Sequence, residues 1–220
     1  MKPFDLSVYG VLDPAQCSGR APGDIALSAA RGGMTLLQWR DKSGSARDQI
    51  AAVKTVRRAL AGTGVPVIVN DRTDIARASG ADGVHLGQDD IPPAVARAIL
   101  GPDAIIGVTI RTDAEARETD LESADYVGLG GVYATSSKVN ETAPIGLDGV
   151  ARISALIRAR KPDMPIVAIA GINAGNAADV VAAGADGVAV ISALFAAGDT
   201  EAAARALSAA VSAGKTEAVQ

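Results

Sequence analysis

Short apolar runs alternate along the chain with longer amphipathic, alanine-rich stretches. The runs predict strands at Leu6–Leu12, Thr35–Arg40, Val65–Asn70, Gly83–Leu86, Ile105–Ile110, Tyr126–Gly130, Pro165–Ala170 and Gly187–Ile191. The amphipathic stretches predict helices near 24–32, 46–61, 73–79, 92–99, 113–119, 148–159, 176–183 and 200–213. A helix follows each strand, which is the rhythm of βαβ units. Most of the strands are continuous Val, Ile and Leu runs rather than strict alternations. A parallel sheet covered by helices needs that pattern.

A repeat runs through the same segments. Ser79-Gly80-Ala81-Asp82-Gly83-Val84-His85-Leu86 returns as Ser123-Ala124-Asp125-Tyr126-Val127-Gly128-Leu129, and again as Ala183-Gly184-Ala185-Asp186-Gly187-Val188-Ala189-Val190. Each copy ends a helix at a small residue, turns through Ala-Asp and enters a buried strand. An open doubly wound sheet also alternates, but rarely in eight clean units over 220 residues. The pattern predicts an α/β fold, a (β/α)8 TIM barrel, in a single domain. The expected core covers residues 6–213, with a tail over 214–220. No linker or composition shift divides the chain.

Composition narrows the chemistry. Hydrophobic residues make up 48% but aromatics only 3%, so Ala, Val, Ile and Leu must build the core. One Cys excludes a disulfide framework and a cysteine-based zinc site, and one His excludes a poly-histidine metal cage. Any chemistry must rest mostly on other residues. Twenty-one basic against 25 acidic residues give −4, so no nucleic-acid partner is expected. The opening MKPFDLSVYGVLD lacks the order of a signal peptide, and no apolar stretch is long enough for a membrane span. A cytoplasmic protein without a membrane partner is the expectation. Oligomeric state stays open, a homo-oligomer included.

A barrel carries its function at the C-terminal strand ends. There the chain reads Gln38-Trp39-Arg40-Asp41-Lys42, where strand alternation puts Gln38, Arg40 and Lys42 on one side. Two cations and an amide suit a polyanion; a solvated strand end is the plainer reading. Asn70-Asp71 and Gln88-Asp89-Asp90 end adjacent strands. Their carboxylates can converge on a hard cation such as Mg²⁺, cap the helices that follow, or serve glycoside hydrolysis. The nearby cations speak against the last. The loop from Gly128 to Lys138 offers backbone N–H groups, hydroxyls and a lysine to a phosphate, without P-loop order. Its run to Ile145 is long enough for a lid, or is an idle loop. Ala170-Gly171-Ile172-Asn173 and Ile191-Ser192 stand where many barrels bind phosphate, or are tight turns. His85 reads first as a packed, hydrogen-bonded histidine, and Cys17 receives no role.

Together these segments resemble the thiamine phosphate synthase (thiamine-phosphate pyrophosphorylase) family, from Leu6 to about Leu207. The resemblance rests on Gln-x-Arg-x-Lys at 38–42, Asn70-Asp71, the run Ala81 to Asp90, the loop Asp125 to Lys138 and the run Gly184 to Ser192. It implies a transferase that joins 4-amino-5-hydroxymethyl-2-methylpyrimidine diphosphate to 4-methyl-5-(2-phosphoethyl)thiazole, or its carboxylated form. The products are thiamine phosphate and diphosphate, and the step is dissociative and assisted by Mg²⁺. By the same resemblance Arg40, Lys42, Asn70 and Lys138 hold the diphosphate, and Asp71 and Asp90 bind Mg²⁺. Gln38, Tyr9 and His85 contact the pyrimidine. Thr109 stands where the family usually has Ser. Thr135, Ser137, Gly171, Ile191 and Ser192 hold the thiazole phosphate.

Some positions depart from the family pattern. Gly131 replaces a frequent Pro, Ile110-Arg111 a frequent Ala-His, and Ala170 a Gly. Arg111 is read as facing solvent, with added charge near the diphosphate as the alternative. A sister family of thiazole tautomerases shares the fold but needs no diphosphate clamp, and its histidine after the fifth strand is missing here. A non-catalytic phosphate-binding barrel would leave the cations and carboxylates without purpose.

Overall fold

The computed structural model describes residues 4–17, 19–135 and 143–217. Eight parallel strands close into a barrel in sequence order, with helices between them. The strands are β1 (Val8–Leu12), β2 (Leu36–Trp39), β3 (Val67–Asn70), β4 (Gly83–Leu86), β5 (Ile105–Ile110), β6 (Tyr126–Leu129), β7 (Ile166–Ile169) and β8 (Gly187–Val190). The helices are α1 (Pro22–Arg31), α2 (Ala46–Ala59), α3 (Thr73–Ser79), α4 (Pro93–Leu100), α5 (Asp113–Glu118), α6 (Gly146–Arg160), α7 (Ala177–Ala182), α8 (Ser192–Phe195) and α9 (Thr200–Glu217). The predicted (β/α)8 barrel is the observed fold. No described helix is long and apolar enough to cross a membrane.

Strand alternation divides the core in two. Tyr9, Leu36, Ile68, Ile105, Tyr126, Val167 and Ala189 point into the barrel. Their sequence neighbours, such as Val8, Leu37, Val69, Val127 and Val188, pack outward against the helices. Both faces are therefore apolar, which explains the continuous apolar runs.

The repeated Ala-Asp has a structural role. Asp82 donates its N–H to the Val67 carbonyl at 2.7 Å and accepts the Val67 N–H on its own carboxylate at 2.9 Å. Asp125 does the same to Ile106, with its carboxylate at 2.7 Å, and Asp186 to Ile166, also at 2.7 Å. Thr35 takes this place between β1 and β2: its N–H donates to the Val8 carbonyl at 2.8 Å, and its hydroxyl accepts the Val8 N–H at 3.0 Å. Each even strand is thus clasped to its odd predecessor at the N-terminal end. Two clasps carry an arginine as well. Arg97 binds Asp125 at 2.7 Å, and Arg158 meets Asp186 with both contacts at 3.0 Å.

Three details differ from the sequence reading. The last helix runs to Glu217, so part of the expected tail is helical. Gly214 permits this by close approach to α7, since a Cβ there would stand 2.4 Å from the Ala178 carbonyl oxygen. A 3-10 turn at Pro14–Gln16 and the four-residue α8 are both too short to show a period.

Asp125→Ala removes the acceptor of a strand N–H and of Arg97 together. Urea unfolding is expected to show a loss of about 2–3 kcal/mol. A loss below about 0.5 kcal/mol, the range of ordinary surface changes, would contradict the clasp.

Candidate active site

The C-terminal mouth of the barrel opens on a cavity. Gln38 on β2, Asn70 on β3, His85 on β4 and Thr109 on β5 all line it. Register aligns them: Asn70 pairs with His85 across β3 and β4, and Thr109 with Gly128 across β5 and β6. Tyr9 lies on the floor, while Thr135, Gly171, Ile191 and Ser192 close the far side.

A chain of hydrogen bonds crosses the floor. Gln38 Nε2 donates to the Tyr9 hydroxyl, which lies 2.9 Å from the Tyr126 hydroxyl. The Tyr126 hydroxyl stands 2.8 Å from His85 Nδ1, and His85 Nε2 stands 2.8 Å from Thr109 Oγ1. The His85 and Tyr126 rings stack at 5.5 Å. Burial pushes both phenols far above their ordinary range, so they stay protonated. Tyr9 and Tyr126 therefore act as hydroxyl partners and not as bases. The Tyr126 ring fits because its ladder partner is Gly107, where a Cβ would stand 2.0 Å from the ring.

The charged groups gather at the rim. Arg40 is paired with Asp13 at 2.7 Å, and both side chains are mostly buried. Lys42 reaches Asp71 at 3.1 Å and is itself exposed. Asp71 has φ +60, a left-handed conformation that aspartate tolerates better than most residues. Its N–H donates to the His85 carbonyl at 2.8 Å, which ties the end of β3 to β4. The Asp90 carboxylate accepts the Gly87 N–H at 2.6 Å. Burial raises the Asp90 pKa; the Gly87 N–H opposes this, the adjacent Asp71 carboxyl adds to it, and Lys42 opposes it. Asp71, Asp90 and Lys42 thus share one corner of the rim. Among the described residues, no group of three or more His, Cys, Asp or Glu is arranged to hold a metal.

On the opposite side, Ala170 and Gly171 end β7 with φ +95 and +66. Gly171 has no room for a side chain: a Cβ would lie 2.6 Å from Tyr133 Cβ and 2.7 Å from the Ala134 carbonyl oxygen. Tyr133 N–H donates to the Ala170 carbonyl at 3.0 Å. This bond pins the loop after β6 to β7, so Thr135 shares the cavity with Gly171, Ile191 and Ser192.

The predicted residues Tyr9, Gln38, Arg40, Asn70, His85, Thr109, Thr135, Gly171, Ile191 and Ser192 all line this cavity. Lys42, Asp71 and Asp90 stand at its rim. Ser137 and Lys138 lie outside the described residues. Arg111 corrects the sequence reading: it lines the cavity instead of facing solvent, because the bare Gly130 leaves room for its stem over the end of β6. Two participants were not foreseen. Asp13 follows β1 with no motif to mark it. Tyr126 left a trace, since it replaces the Gly of the other two repeat copies.

A closed barrel of eight parallel strands, with cations, carboxylates and a glycine turn around one mouth, defines a (β/α)8 barrel of the kind that carries its chemistry at the C-terminal strand ends. Residues 8–194 match the family model described as thiamine monophosphate synthase. A thiamine-phosphate synthase of Agrobacterium fabrum is 48% identical over 195 residues, 89% of each chain. A thiamine-phosphate synthase of Moorella thermoacetica is 45% identical, over 94% of this chain and 95% of its own length. A solved structure, thiamine phosphate pyrophosphorylase from Pyrococcus furiosus, superposes with a TM-score of 0.81 at 35% identity, covering 95% of this chain and 96% of its own. The chain belongs to the thiamine monophosphate synthase family.

Tyr126→Phe leaves the Tyr9 hydroxyl and His85 Nδ1 each short of a partner. It is expected to cost about 1–3 kcal/mol in urea unfolding; a cost near zero would mean the chain contributes nothing. Ala170→Gly relieves a backbone conformation that costs about 1–3 kcal/mol, against about 0.5–1 kcal/mol of added chain entropy. A higher unfolding midpoint is expected, and a lower one would show that Ala170 is unstrained.

Proposed function

We propose that this chain is a thiamine phosphate synthase that joins a hydroxymethylpyrimidine diphosphate to a thiazole phosphate and releases diphosphate. The observation that carries the reading is the rim: Arg40, Lys42 and Asn70 stand beside two adjacent carboxylates, across one cavity from the Gly171 and Ser192 turns. Two anion-binding regions that face one cavity suit a reaction between two phosphorylated partners.

The donor set at the rim fits Mg²⁺. Asp71 and Asp90 are oxygen donors close enough to interact, and the charge on Asp71 adds to the cost of ionising Asp90. A cation held by these carboxylates would offset that cost, and Mg²⁺ often binds through one or two carboxylates plus substrate phosphates. Bound there, Mg²⁺ would supply positive charge against the negative charge that grows on the departing diphosphate.

The chain's own residues have the following parts in this reading. Arg40, Lys42 and Asn70 bind the diphosphate and stabilise it as it leaves. Gln38, Tyr9 and His85 orient the pyrimidine from the floor. Thr109 orients His85 through its hydroxyl contact at 2.8 Å. Thr135 and the backbone at Gly171, Ile191 and Ser192 hold the thiazole phosphate. The carbon–oxygen bond to diphosphate breaks and its electron pair leaves with the oxygen. The thiazole nitrogen gives its lone pair to the methylene carbon and becomes quaternary. That nitrogen carries no proton, so the step needs no general base. Protonated phenols and a hydrogen-bonded histidine on the floor agree with this.

Purified protein with both substrates and Mg²⁺ is expected to release diphosphate as thiamine phosphate forms. Without that release the reading fails. Asp71→Asn is expected to raise the Mg²⁺ concentration for half-maximal rate by about tenfold or more. An unchanged titration would remove Asp71 from the metal site.

A further inference from the structure

Arg111 stands just past the end of β5 and is half-buried against the cavity it lines. Its backbone is fixed: the N–H donates to Glu115 Oε2 at 2.5 Å, and Glu115 is held by the Thr112 cap of α5 at 3.1 Å. Its side chain lies over β6. A Cβ at Gly130 would stand 3.1 Å from Arg111 Cγ and 3.2 Å from Nε, so the bare glycine makes room for the arginine stem. The stem therefore runs toward β6 and the loop that carries Thr135, away from β2 and β3.

The rim cations differ in their commitments. Arg40 is paired with Asp13, and Lys42 with Asp71. The Arg111 guanidinium has no hydrogen bond or ion pair with another described residue. A guanidinium without a protein anion keeps its planar fork of N–H donors for a phosphate or carboxylate, which it can bind through paired N–H bonds. The diphosphate residues lie on β2 and β3, whereas β6 is the neighbour of β7, where Gly171 sits.

Building on the function proposed above, we propose that Arg111 is a further substrate-binding residue, whose guanidinium binds the phosphate of the thiazole partner from the β5–β6 side. It gives that phosphate a charged ligand in a region otherwise served by hydroxyls and backbone N–H groups.

Steady-state kinetics on Arg111→Gln and Arg111→Lys test this, with thiazole phosphate and with the unphosphorylated thiazole alcohol. Arg111→Gln is expected to raise the KM for thiazole phosphate about tenfold or more. The KM for the pyrimidine diphosphate is expected to stay within about twofold, as is kcat/KM for the alcohol. Arg111→Lys, which keeps the charge but not the fork, is expected to fall between. A KM rise for the pyrimidine diphosphate instead, an equal loss with the alcohol, or no change at all would each overturn the assignment. If Arg111→Gln does not fold, an Arg111→Lys variant with unaltered KM for thiazole phosphate overturns it on its own. Failure of the unaltered protein to form thiamine phosphate would overturn the function reading; normal turnover with an indifferent Arg111 overturns this assignment alone.

Discussion

Strand register is the constraint on which the molecule depends. The side-chain period of a strand is two, so a slip of one residue turns every inward group outward. Gln38, Asn70, His85 and Thr109 would then face the helices, and the cavity would lose its polar lining. The clasps formed by Thr35, Asp82, Asp125 and Asp186 act against such a slip. Each binds an N–H at the start of the preceding strand, at the end of the barrel opposite the cavity. Stability and function thus occupy the two ends of the same strands, coupled by pairing alone.

Between those ends lies a core with few aromatic rings, and those few are used with care. Tyr9 and Tyr126 fill the barrel interior beneath the cavity, where aliphatic side chains would take away the hydroxyls that meet Gln38 Nε2 and His85 Nδ1. The space for Tyr126 comes from Gly107 on the next strand. Ring, glycine and histidine form one packed unit across three strands. A buried polar network of this kind stiffens a floor only when all its members are satisfied.

Much of this was legible in the chain. Buried parallel strands must be apolar on both faces, so their positions stood out as runs, and their number and rhythm implied a barrel. The strand-end residues could then be located by the rule that puts function at one mouth. What stayed hidden depended on three-dimensional neighbours. The recurring Asp was visible as a repeat, but its task on the preceding strand was not. Asp13 had no motif, because its meaning comes from Arg40, far away in sequence. The place of Arg111 is not legible in the chain, because exposure at a strand end depends on what the adjacent strand presents, here a bare Gly130. The four-residue α8 was too brief for any periodic signal.

The pairing of Asp13 with Arg40 bears on how the mouth tells one anion from another. Among the described residues named at the mouth, Arg40 is paired with Asp13 and Lys42 with Asp71, while Asp90 beside Asp71 and the unpaired Arg111 add one charge of each sign. These six described groups balance in formal charge, within a chain that is itself slightly acidic. Such a surface has little long-range pull on polyanions in general. Under the function proposed above, capture then depends on short-range fit, in which a ligand brings its own charges into register with fixed donors. In the same reading, such selectivity comes with slower encounter and leaves unrelated phosphates undrawn to the mouth.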